Sequence, residues 1–184
     1  MQDRRNVFLV HSVHHPAAKP MHEFLGSLDL RVVTWKHATE AARKEGQSYL
    51  SEILDKGFEL AHAAVIFMTP DDLTCLDPRL AKDRDPERLQ GQPRPNVIFE
   101  AGMAWQKFRD RTLLVRFGEV REFTDLSGVS FQSFTGSVKD RSELAGLLKA
   151  MGCDLDQTSG SWVDAGTFPT TELPPVTCDD LRLS

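Results

Sequence analysis

Ala63-Ala64-Val65-Ile66-Phe67-Met68-Thr69 is the stretch whose reading decides the fold. It is apolar at every position up to its last residue. A strand with no polar alternation has both faces covered, which is the signature of a central strand in a parallel sheet. Working outward, Asn6-Val7-Phe8-Leu9-Val10-His11 and Thr112-Leu113-Leu114-Val115-Arg116-Phe117 have the same character. Leu30 to Trp35 and Ser130 to Phe134 read as weaker strands.

Helical spacing separates them. Met21, Phe24, Leu25 and Leu28 recur at helical intervals within residues 17–29. Leu50, Ile53, Leu54 and Phe58 do so in the next helix, for which Ser48, or less well Ser51, is the candidate cap. Asn96 to Arg109 carries Val97, Ile98, Ala101, Ala104, Trp105 and Phe108 on one stripe, and Arg141 to Met151 ends at Gly152. Lys36 to Gln47 shows no apolar stripe and reads as a loop. Residues 71–95, rich in proline and charge, read as a long excursion with room for a helical turn at 71–76. Strand and helix thus alternate about five times, which predicts an α/β domain with helices on both faces of a parallel sheet. Residues 1–168 are expected to form one domain, and the Pro-rich 169–184 a tail.

Composition narrows the function. Of 184 residues, 40% are hydrophobic and 27% charged, a balance that excludes wholesale disorder. The 22 basic and 27 acidic residues leave a net charge of −5, with no basic face to wrap nucleic acid. No apolar run reaches the roughly 18 residues that cross a bilayer. Cys75, Cys153 and Cys178 form no CxxC pair, and with no secretory pattern at the start a reduced, cytoplasmic protein is expected. GxGxxG, Walker and GxSxG motifs are absent.

Ligands of open parallel sheets bind beyond the carboxyl ends of the strands. The polar residues supplied there are His11-Ser12, Trp35-Lys36 and Asp71-Asp72. Glu100 stands out. With about 100° per residue, it falls on the flank of the buried stripe of its helix, near the strand ends. It either complements the helix dipole or carries chemistry. Asp71 and Asp72 either start a short helix, bind a metal or hold ribose hydroxyls. His11, His14 and His15 cluster, but lack the further ligands and spacing of a metal site. Trp35 is either core or a surface for stacking on a base.

Asn6-Val-Phe-Leu-Val-His11, Thr69-Pro-Asp-Asp72, Arg94-Pro-Asn-Val-Ile-Phe-Glu-Ala-Gly102, Arg111-Thr-Leu-Leu-Val115 and Trp162 to Phe168 together resemble the bacterial TIR-like (Toll/interleukin receptor-like) family of predicted nucleotide-binding proteins. This branch includes the TIR effectors of the Pycsar and TIR–STING anti-phage systems. The resemblance implies a flavodoxin-like, five-stranded parallel sheet. It implies an NAD glycohydrolase (NADase), a hydrolase that releases nicotinamide and linear or cyclic ADP-ribose once the protein self-associates. NAD is then substrate, with no separate cofactor and no metal.

The resemblance places the catalytic glutamate at Glu100. It makes 36–49 the loop that governs assembly and access; if Glu100 is catalytic, His11 and Ser12 are expected to line the first-strand side of the substrate pocket, Trp35, Lys36 and Tyr49 to reach in from the loop after strand two, and Asp71 and Asp72 to bind ribose or shape the third edge. It implies a cyclic-nucleotide-sensing domain or partner as the trigger, while composition and charge lead to the expectation of neither membrane nor direct nucleic-acid binding. The chain departs from the family pattern at Ser12, where many relatives carry Gly, and at Gly46-Gln-Ser-Tyr49. The alternatives are a non-catalytic TIR assembly module and an enzyme similar to nucleoside 2-deoxyribosyltransferases.

Overall fold

The computed structural model describes residues 3–43, 49–77, 79, 89–121, 123 and 131–172. Its strands are β1 (Asn6–His11), β2 (Arg31–Val33), β3 (Ala63–Met68), β4 (Asp72–Thr74), β5 (Gln90–Gln92), β6 (Thr112–Phe117) and β7 (Phe131–Phe134). Its helices are α1 (Ala18–Ser27), α2 (Trp35–Ala42), α3 (Leu50–Leu60), α4 (Pro95–Phe108) and α5 (Val138–Ala150). Five strands form one sheet in the order β2-β1-β3-β6-β7, and every pairing in it is parallel. This is the flavodoxin-like α/β architecture expected from the sequence.

The pleat sends alternate residues to opposite faces. Val7, Leu9, Val65, Phe67, Val115 and Phe117 join Met21, Phe24 and Leu25 of α1 and Leu144 and Leu148 of α5 in one core layer. Phe8, Val10, Ala64, Ile66, Met68 and Leu114 join Ala38 of α2, Leu54 and Phe58 of α3, and Val97, Ala101 and Ala104 of α4 in the other. Every residue of β3 is buried, as an apolar run without alternation requires. Gly57 lets α3 settle on β1, since a Cβ there would stand 2.6 Å from the Phe8 ring.

The first connection goes to β2 through α1, and the chain returns past β1 to β3 through α2 and α3 on the other face. The reversal opens the crevice between the carboxyl ends of β1 and β3, where ligands of this topology bind.

Past β7 the chain packs back on α1 and α5. The guanidinium of Arg141, itself buried, donates to the carbonyls of Gly136 (2.8 Å), Ala165 and Gly166 (2.8 Å). It lies 5.4 Å from the Phe24 ring centre and 5.0 Å from that of Phe168. Trp162 and Phe168 pack on the α1–α5 core layer.

Four expectations are corrected. Residues 35–42 are helical, not loop. The stripe is made of small residues, with Ala38 and Ala42 buried one turn apart. Thr34 caps it by accepting from the His37 N–H, while His37 Nδ1 accepts from the Thr34 N–H. Strand two therefore stops at Val33, and Trp35 opens a helix instead of closing a strand.

Residues 71–76 form no helical turn either: Asp72–Thr74 pairs antiparallel with Gln90–Gln92. Gly91 seats this small sheet, because a Cβ would meet Pro70 Cβ at 2.3 Å and the Glu119 carbonyl at 2.6 Å. The cap of α3 is Tyr49, whose N–H donates to the Glu52 carboxylate at 3.2 Å. Ser48 and Cys178 lie outside the described residues, as do 44–47 and 173–184 of the expected access loop and tail.

Candidate functional site

Helix α4 begins with Pro95 at its first position, where a missing N–H costs nothing. It descends from the carboxyl edge of the sheet and buries Val97, Ala101 and Ala104 against β1, β3 and β6. Glu100 is in its second turn. Two turns further on the same side, Lys107 forms an ion pair with Asp55 of α3. The Glu100 side of α4 therefore faces α3 and the β1 half of the sheet, away from β7.

No described residue forms a hydrogen bond or ion pair with the Glu100 carboxylate, and burial pushes its pKa from 4.5 up to about 7. An acid with no cationic partner in a half-dry setting prefers to hold its proton. With a pKa close to neutrality, both its protonated and its ionised forms are populated near pH 7.

Three other sequence candidates share this face and edge. Trp35 opens α2 and packs on the same core layer as Val97 and Ala101. Tyr49, 75% exposed, stands at the start of α3. Lys36 is exposed beside Trp35, 3.9 Å from Glu40 in an i,i+4 pair. Ser12 follows β1 at the crevice and is buried; its Oγ is the one buried side-chain polar atom without a hydrogen-bond partner among the described residues.

The remaining candidates gather towards α1. Strand alternation puts His11 on the Val7–Leu9 side, and its Nε2 lies 3.2 Å from Nε2 of His22 in α1. Asp71 takes the Thr69 hydroxyl at 2.7 Å and lies close enough to His15 to oppose the effect of burial, which holds that imidazole low. His15 Nδ1 accepts the Ala17 N–H at 3.2 Å, and its ring meets that of Phe117 edge to face. Asp72 is half-buried in β4, registered with Gln92. The candidate residues thus divide between the two faces of the sheet, with Glu100, Trp35, Lys36 and Tyr49 towards the α2–α4 face and His11 and Asp71 towards α1.

Sequence reading missed His22. Its signal is its place at i+4 from Ala18, on the buried side of α1, which makes a histidine there a neighbour of the strand ends. The His11–His14–His15 cluster does not form, since His14 is exposed and His15 is committed to the start of α1.

Residues 6–136 match the family model described as CAP12/Pycsar effector protein, TIR domain. The chain belongs to that family. No curated protein matches it. This TIR domain is thus of the bacterial anti-phage effector type. The matched stretch holds β1 through β7, Glu100 and every other candidate named above. The clasp made by Arg141 lies beyond the matched stretch and completes the α1–α5 core layer. No helix among the described residues is long and apolar enough to cross a membrane.

Proposed function

We propose that this TIR domain cleaves NAD between nicotinamide and ribose, acting as an anti-phage effector that a cyclic-nucleotide-sensing domain or partner brings into assembly. The observation that carries the reading is Glu100, a half-buried carboxyl group without a described partner, with a pKa near neutrality, in the second turn of the helix that packs on β1, β3 and β6.

The chemistry asks for little more than this group. The bond from ribose C1′ to the pyridinium nitrogen breaks with its electron pair going to nicotinamide, which leaves neutral. The ribose is left as an oxocarbenium ion. A carboxylate beside it stabilises that charge or captures it as an ester, and water completes the hydrolysis. An attack by the substrate's own adenine gives the cyclic product instead. Because the leaving group is already cationic, no general acid is required.

Trp35 supplies an aromatic surface for stacking, and the unsatisfied Ser12 hydroxyl supplies a hydrogen bond that a polar ligand group can complete. Asp71 and Asp72 hold ribose hydroxyls from the opposite side, and Lys36 and Tyr49 close over the substrate when copies assemble.

The test is product analysis. The clustered protein, incubated with NAD, is expected to release nicotinamide and ADP-ribose in equal amounts. Base exchange on deoxynucleosides with NAD left intact would replace this reading with the deoxyribosyltransferase one. No turnover of either substrate under clustering would leave an assembly module.

A further inference from the structure

His11 and His22 form the closest pair of imidazoles among the described residues. Their Nε2 atoms are 3.2 Å apart, their ring centres 5.1 Å apart, and their planes cross at 86°. The other nitrogen of His11 settles its tautomer. Nδ1 lies 3.0 Å from the Ser12 carbonyl oxygen, which can only accept, so Nδ1 carries the proton and Nε2 accepts a hydrogen bond from the Nε2–H of His22, a proton that an ion bound between the two rings would displace. A ring N–H held by a backbone carbonyl is the usual support of a metal-ligating histidine.

The ring spacing fits an ion between the two. Drawn symmetrically from these separations, the two ring axes meet about 2 Å beyond each Nε2, which is the length of a zinc–imidazole bond, at about the tetrahedral angle. Both side chains are only half-buried, so an ion can reach them.

We propose that His11 and His22 form a two-point site for a divalent transition-metal ion of the imidazole-binding class, zinc foremost. No group of three or more His, Cys, Asp or Glu side chains among the described residues could hold a metal. Water, or a donor atom of a bound ligand, fills the other positions. The site pins the end of β1 to α1 and thereby fixes the 12–17 turn that borders the crevice. It lies across the sheet from the α4 face that carries Glu100, so it stands or falls separately from the NAD-cleavage reading.

Zinc chloride titrated by calorimetry into the tag-free, chelator-treated full chain tests the proposal. One saturable equivalent per chain is expected, weakened about tenfold or more in His22→Ala and unchanged in His14→Ala, which removes only an exposed imidazole. Far-UV circular dichroism checks that His22→Ala is folded. Should it unfold, imidazole nitrogen NMR of the unmodified protein decides, because zinc must shift Nε2 of His11 and His22 and no other histidine nitrogen. No saturable binding, binding unchanged in folded His22→Ala, or shifts confined to other histidines would overturn the site.

Discussion

The Arg141 guanidinium reaches 25 residues along the chain to the carbonyl oxygen of Gly166, 2.8 Å away. With the bonds to Gly136 and Ala165 it ties the end of β7 and the 162–168 segment to α5. Arg141→Met removes the charge and leaves several carbonyls without a donor. A loss of about 2–4 kcal/mol is expected, seen as a fall in thermal midpoint of roughly 5–10 °C. Arg141→Lys should recover little of it, since one ammonium cannot reproduce the planar fork. A midpoint within a degree of wild type would show that the clasp contributes nothing.

Ser12→Ala should behave in the opposite way. The hydroxyl is buried without a partner, so its removal should leave the fold as stable or about 1 kcal/mol more stable. If that hydroxyl completes a bond to the substrate, KM for NAD should rise while the unfolding midpoint holds or climbs. A destabilised Ser12→Ala protein with unchanged KM would place the hydroxyl in the structure and not in the site.

Glu100 should impose a pH dependence on stability. Its folded-state pKa, about 7, lies above the unfolded 4.5, so the native state binds more protons in between. Stability is therefore fully present below about pH 4.5 and is lost as pH rises through about 7. Discounted for the solvent that this half-buried group still sees, the loss is about 1–2 kcal/mol. Glu100→Gln should remove that slope and be the more stable protein at pH 8. Denaturant midpoints at pH 5 and pH 8 for both proteins would show this, and parallel curves would contradict it.

Much of this was legible in the sequence, and the parts that were not share a cause. The unbroken apolar run at 63–68 announced a doubly covered strand, and the stripe through Val97, Ala101 and Ala104 announced α4. Helix α2 was hidden because its buried side is alanine, which hydropathy barely distinguishes from loop, and because His37 stands where a capping Glu is expected. Strand β4 was hidden because its residues, Asp72 to Thr74, pair antiparallel with the distant Gln90 to Gln92, a non-local contact with no local period. At the site, Glu100 could be placed on the flank of its helix by angle alone. Which neighbours His11 would meet depended on how α1 crosses the sheet, and that is not written in any single stretch.

Activity should follow the ionised form of Glu100. If the carboxylate meets the developing ribosyl cation, kcat/KM for NAD should rise with pH through about 7 and level off above it. A profile that is flat from pH 6 to 8, or that falls across it, would assign the carboxyl group another role.

NAD turnover by wild type and Glu100→Gln, followed over a series of protein concentrations with and without a clustering agent, bears on the central claim most directly. Wild-type turnover per chain should climb with assembly, and the variant, folded and equally assembled, should be slower by at least about 100-fold at every concentration. Equal turnover by the two proteins would take the reaction away from Glu100.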